Sequence, residues 1–284
     1  MTNRSLTSSA TLALLAMLIA LPAEGASCQG AESQLGAARS AMERGDFAGA
    51  WRSFTLLVAS HPDCPDALAG LGRLKAMKGE VSEAEELLTK AVKLAPDNPQ
   101  LYFELGVFYD RRQQSGKAAE QFEQAVRLSP QNPQAYDYLA LSLEPLGQFE
   151  RAEWAYKKGL EVNRGALFDS FLDYNYGRFL LKQNRLQEAA RHLDRAVELT
   201  PNTRAVYYER AKLHEKQGNY RQARLDAETA LKLKDPAAVI LDLQVYYLLS
   251  RIYTRLGEKE LAAQYTKLTE SAKVPVSSRM RGGR

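Results

Sequence analysis

From residue 31 onward the order of small, bulky and polar positions repeats itself. The stretches EAEELLTKAVKLAPDNP, KAAEQFEQAVRLSPQNP and EAARHLDRAVELTPN are three versions of one phrase. With residue 65 as position 1, blocks of 34 residues cover 31–64, 65–98, 99–132, 133–166, 170–203, 204–237 and 243–276. Short insertions, 167–169 and 238–242, follow the fourth and the sixth block. No alternating strand pattern competes, and each block reads as two helices joined by a turn.

The columns say how the two helices meet. Position 20 is alanine throughout: Ala50, Ala84, Ala118, Ala152, Ala189, Ala223 and Ala262. Position 8 is always small, as Ala38, Gly72, Gly106, Ala140, Gly177, Ala211 and Ser250. Helix axes approach closely only where side chains are this short. Position 24 is mostly bulky (Phe54, Leu88, Phe122, Tyr156, Leu193) and fills the space beside that contact. Proline at position 32 (Pro62, Pro96, Pro130, Pro201) stops the second helix, since it lacks the N–H a further turn needs. Gly45, Gly79, Gly147, Gly218 and Gly257 mark the turn between helices.

This arrangement resembles the tetratricopeptide repeat, whose pattern places small residues at 8, 20 and 27, a bulky one at 24 and proline at 32. The likeness spans 31–276. It implies an all-α fold, an α-solenoid of seven helical hairpins forming a right-handed superhelix, with the first helices lining a concave groove. The physical logic agrees, because a lone hairpin cannot bury its own apolar face and stacking supplies the core. Block 4 departs from the pattern, with Pro145 late in its first helix and Arg164 in place of the helix-stopping proline.

The ends read differently. Arg4, an apolar run from Leu12 to Leu21, Pro22 and the small residues Gly25, Ala26 and Ser27 have the build of a secretory signal peptide over 1–27. The chain is therefore expected to be exported, to a periplasm or an outer-membrane location in a bacterium. Residues 277–284 (SSRMRGGR) read as a basic disordered tail. The formal charge of +4, from 38 basic against 34 acidic side chains, is largely this tail, with Arg279, Arg281 and Arg284. The folded part is close to neutral, which argues against a nucleic-acid partner.

Two cysteines leave three readings. Cys28 precedes the first helix of block 1 and Cys64 closes the same block, so a hairpin brings them near each other, and an exported compartment permits a disulfide. Alternatively Cys28 is the lipidated first residue of a lipoprotein, although the aliphatic residue usual three places earlier is missing. Two independent thiols complete the set. Membrane association is expected only if Cys28 carries lipid.

Catalytic chemistry finds little support. His61, His192 and His214 share no metal-ligand spacing with each other or with cysteine, and no phosphate loop, dinucleotide glycine signature or nucleophile elbow is present. No metal, no cofactor and no enzymatic activity are expected. A glycan-acting variant would need clustered carboxylates, for which Asp110, Asp137 and Glu144 are the candidates. The carboxylate clamp of chaperone-binding relatives, built on Lys and Asn, is not matched by Asn175 alone.

The face carrying positions 5, 9 and 12 of each first helix is more informative. Its later blocks read Tyr174 and Arg178, Tyr208 and Lys212, Tyr247 and Arg251, an aromatic followed one turn on by a cation. Earlier blocks carry Phe103, Val107 and Asp110, then Asp137, Leu141 and Glu144. Phe103 and the tyrosine–cation pairs form a candidate groove for a segment of a protein partner, because aromatic and arginine side chains dominate binding hot spots. The alternative is that these tyrosines pack between neighbouring helices and the cations are solvated. The expected role is a non-catalytic interaction scaffold of the cell envelope. The runner-up is a lipid-anchored outer-membrane assembly factor of pilus or secretin type, and a glycan-binding repeat protein ranks below both.

Overall fold

A computed structural model describes residues 28–235 and 238–273. The signal-peptide segment 1–27 and the basic tail 277–284 lie outside the described residues, as do 236–237 and 274–276. Among the described residues there are fourteen α-helices and no strand. The chain divides into two compact units, Met1–Pro96 and Asp97–Arg284. The division falls at the helix-stopping proline of the second block, where nothing in the repeat pattern marks a break.

The first unit holds α1 (Glu32–Glu43), α2 (Phe47–Ser60), α3 (Pro65–Lys78) and α4 (Val81–Leu94), each packed on the next. Ala38 and Ala50 are fully buried at the α1–α2 crossing, with Phe54, Leu57, Leu71 and Leu74 in the surrounding core. Asp46 starts α2 by accepting the Gly49 amide at 2.8 Å, which satisfies one of the amides left over at a helix N-terminus. Cys28 and Cys64 are joined as a disulfide with their Cα atoms 4.8 Å apart, tying the entry of α1 to the start of α3.

The second unit contains five further pairs: α5 (Pro99–Arg111) with α6 (Ser115–Leu128), α7 (Pro133–Leu143) with α8 (Phe149–Val162), α9 (Leu172–Lys182) with α10 (Leu186–Leu199), α11 (Arg204–Lys216) with α12 (Tyr220–Lys232), and α13 (Asp242–Leu256) with α14 (Lys259–Lys273). Asn-Pro dipeptides open two of them. The Asn98 and Asn132 side chains accept amides of the first turn while Pro99 and Pro133 occupy a position whose N–H has no helical acceptor. The first helix of block 4 ends at Leu143, and Pro145 sits in a short 3-10 turn, Glu144–Leu146.

Small-against-large packing is visible atom by atom. A methyl group added at Gly106 would lie 2.7 Å from the Phe122 ring, and one at Gly177 would lie 2.8 Å from Leu193. Gly72 faces Leu88 in the same way, at 3.0 Å. In these three hairpins position 8 of the first helix is thus the seat of the bulky position 24 of the second.

The turn after each first helix needs a left-handed residue at position 15. Glycine supplies it five times, and Gln113 and Asn184 supply it at φ 57° and 59°. Both insertions are clamped by side chains. Asn163 bonds Asp169 in both directions, donating to its carbonyl at 2.8 Å and accepting its amide at 2.7 Å. Arg204 donates to the carbonyls of Ala230 and Ile240 and to the Asp242 carboxylate, closing the 238–242 loop onto α12.

Candidate partner-binding face

In the second unit the first helices α5, α7, α9, α11 and α13 touch one another in chain order. Positions 5, 9 and 12 therefore form one continuous face, and the structure shows what each of its side chains touches.

Phe103 is half-buried. Its ring stands edge-on to Phe122 and Tyr138, with centroids 5.6 and 5.3 Å away, so it serves as packing between α5, α6 and α7 as well as lining. Tyr174 and Tyr208 are also half-buried, whereas Tyr247 is 53% exposed. Burial, reinforced by the Glu209 charge, pushes the Tyr174 phenol up to about 12, which keeps it a neutral hydrogen-bond donor at physiological pH. Lys212 Nζ lies 5.3 Å from the Tyr208 ring centroid and the Arg251 guanidinium 5.2 Å from that of Tyr247, both cation–π distances.

The cations of this face are already paired. Arg178 reaches back one repeat to Glu144 at 3.3 Å, and Lys182 binds the other oxygen of the same carboxylate at 2.8 Å. The Tyr156 hydroxyl donates to Glu144 at 2.6 Å as well, and the Glu144 side chain is only 8% exposed. Arg251 makes a two-pronged contact with Glu215, its Nε at 2.8 Å from Oε1. Lys212 has Leu181 where its neighbours have an acid, and it turns to Glu209 of its own helix at 2.8 Å. Arg178 and Arg251 thus join successive first helices, a role that the spacing of tyrosine and cation alone does not convey. The signal was present between blocks: within the second unit, position 12 is Glu in the two blocks, 133–166 and 204–237, that precede an Arg at position 9.

Asp137 is the outlier. It is 3% exposed, accepts the Asn175 side-chain N–H at 2.7 Å through Oδ2, and has no hydrogen-bond partner for Oδ1 among the described residues. Burial, with the nearby Asp169 charge adding to it, pushes this carboxyl up to about 8 against the pull of Asn175 and Arg178. Burial likewise raises Asp110 and Asp169. His192 Nδ1 sits 2.7 Å from Asp173, and His214 lies 3.6 Å from Asp226, which also binds Arg210. No group of three side chains suited to holding a metal ion occurs among the described residues.

Tetratricopeptide repeat sequences match residues 35–99, 78–133, 103–161 and 208–272, and a second description of the same repeat matches 177–218. The chain belongs to the tetratricopeptide repeat family. No curated protein matches it in sequence. Among solved structures, a tetratricopeptide repeat protein from Parabacteroides merdae is 21% identical with a TM-score of 0.61, covering 87% of this chain and 94% of that one. Pseudomonas aeruginosa pilF is 20% identical, with a TM-score of 0.63 over 74% of this chain and 91% of its own. PilW, a widely conserved type IV pilus biogenesis factor, is 18% identical, with a TM-score of 0.64 over 73% and 92%. At these identities the three share the tetratricopeptide fold with this chain.

Proposed function

We propose that this tetratricopeptide protein is a non-catalytic scaffold of the cell envelope that holds a segment of a protein partner against the first-helix face of its second unit. A tetratricopeptide array is a protein-binding type of repeat, and that coarse role follows from the family. The observation that carries the finer assignment is the Tyr247–Arg251 pair, where an exposed aromatic ring lies beside a guanidinium held in place by Glu215. A side chain fixed before binding loses less freedom when a partner arrives. Tyr208 with Lys212 and Tyr174 with Arg178 continue the same surface. Because Glu144 and Glu215 neutralise the two arginines, the face favours contact through tyrosine rings and hydroxyls over capture of a bare carboxylate.

Export is part of the proposal, and the Cys28–Cys64 disulfide supports it, since such bonds persist in oxidising compartments. The same bond engages the sulfur that lipid would need, which weighs against the lipid-anchored assembly factor. The intact mass of the mature protein separates the two: a disulfide removes two hydrogens, and a lipid adds several hundred daltons.

The face itself is tested by replacing Tyr174, Tyr208 and Tyr247 together by alanine. The variant is expected to keep its helical circular dichroism and to lose in-cell crosslinks to whichever envelope protein the parent captures. Unchanged crosslinks would remove this surface from the binding role.

A further inference from the structure

The first unit carries a second surface of different chemistry. The start of α2 and the end of α3 enclose a cleft of about 540 Å³, lined by Phe47, Trp51, Leu74 and Met77 with Arg52 and Lys78 at its edge. Phe47 is 46% and Met77 51% exposed, so large apolar area faces outward. Lys78 Nζ lies 3.4 Å from the Trp51 ring centroid. Neighbouring Lys75 is neutralised by Glu80 and Glu83, each at 2.6 Å. Among the described residues neither Arg52 nor Lys78 forms an ion pair.

The equivalent place in the second unit differs in chemistry: the start of α6 and the turn after α7 border an open cleft of about 610 Å³ lined by Ser115, Gly116, Pro145 and Leu146, with no aromatic ring. Position 21, where Trp51 stands, is Ala119, Ala190 and Ala263 in three later blocks. In two others it is charged and paired with the following hairpin: Glu153 with Arg185 at 2.7 Å, and Arg224 with Glu258 at 3.3 Å. Phe149, the counterpart of Phe47, has Phe179 for a neighbour at 6.4 Å between ring centroids. Among the described residues, the seam between α2 and α3 alone combines Trp51, the exposed Phe47 and Met77, and two cations, Arg52 and Lys78, that form no ion pair.

We propose that this cleft docks an acidic segment of a partner protein, which inserts one aromatic or aliphatic side chain between Phe47, Trp51 and Met77 and presents carboxylates to Arg52 and Lys78. Charge selects this occupant. A second copy of the chain meeting the cleft about a two-fold axis would set Arg52 and Lys78 against their own equivalents, an arrangement that costs energy instead of releasing it. Methionine and tryptophan supply adaptable and large apolar contact, the combination favoured where side chains are captured. The cleft belongs to a different unit from the tyrosine face, so either assignment can fail without the other.

The test uses the full chain carrying Trp154→Phe, which leaves Trp51 as its sole tryptophan. Short synthetic peptides with a fixed Leu and Phe are titrated in three backgrounds: Glu-rich, Ser-rich and Lys-rich. The Glu-rich peptide is expected to change Trp51 emission saturably and to bind at least about tenfold more tightly than the Lys-rich one. Met77→Glu should abolish that response, and Arg52→Glu with Lys78→Glu should reverse the charge preference, with helical content unchanged in both. The proposal is overturned if no peptide gives a saturable change, if all three bind alike, or if the variants bind as the parent does. Light scattering adds one more outcome: self-association lost in Met77→Glu would give the cleft to a second copy.

Discussion

The two compact units fasten neighbouring hairpins by different means. The first joins its two hairpins by a covalent bond, Cys28–Cys64, and by the ion pairs Arg39 with Asp66 at 2.5 Å and Lys90 with Asp63 at 3.0 Å. The second uses charge throughout, with Glu144 gathering Arg178 and Lys182, Glu215 gathering Arg251, and Asp194 gathering Arg210. The difference teaches what a terminal hairpin lacks. α1 and α2 have packed neighbours on one side, and the disulfide supplies the constraint that a second neighbour would give. Within the second unit, α7–α8, α9–α10 and α11–α12 have packed neighbours on both sides and distribute the task over repeated carboxylate–cation contacts.

Reduction should separate the units most sharply. The disulfide closes a sequence separation of 36 residues, for which the chain-entropy argument gives a loss of about 4 kcal/mol on breaking it. Urea unfolding followed by hydrogen exchange should show the first unit loosening under reductant while α5–α14 keep their protection. Equal loosening of both would end the contrast. Glu144→Gln is the matching strike on the second unit. It leaves the Arg178 guanidinium half-buried beside a neutral amide, and a loss of about 3 kcal/mol is expected on chemical denaturation, with the first unit unaffected.

Through Asp137, pH acts on the second unit. Its carboxyl is held up to about 8, while an unfolded chain ionises it near the ordinary carboxylate value, so the folded form binds the extra proton between those limits. Its contribution to stability is therefore complete at the acid end and is lost as pH climbs toward 8, by up to about 1.4 kcal/mol per pH unit. Asp137→Asn should flatten that fall and leave the variant the more stable of the two at pH 8. A parent and variant with parallel pH profiles would show that Asp137 ionises normally. The smallest effect is expected in the turns. Gln113 adopts a left-handed conformation that glycine fills elsewhere, so Gln113→Gly should raise the stability of the second unit by about 0.5–1 kcal/mol.

Most of the hairpin packing is legible in the sequence because it is local and repeated. Gly106 lies sixteen residues from Phe122, and Gly177 and Leu193 stand at the same spacing, so aligning blocks lines up both halves of each contact. All seven alanines at position 20 are buried, as their constancy implies. The candidate face was less legible. Tyr247 and Arg251 are visible as a pair within one block, but the partner of Arg251 is in another, and only comparison of adjacent blocks brings Glu215 into view. Phe103 looks like lining from its position and turns out to sit against Phe122 and Tyr138. The cleft at Trp51 escaped for the opposite reason. It arises from one exceptional residue at a column that alanine or paired charges occupy elsewhere, and periodicity conceals exceptions.

At two junctions of the second unit, Glu144 with Arg178 and Glu215 with Arg251, the carboxylate at position 12 of one hairpin and the arginine at position 9 of the next act as lock and key for chain order. If the hairpin 243–276 were spliced directly behind 170–203, Arg251 would confront Leu181 and forfeit its counter-charge. Modules that share a fold and nearly the same length are thereby made non-interchangeable, and permuted arrays of this protein should assemble worse than their consensus suggests. The succession of repeats is itself encoded, in a handful of charges that no single repeat contains.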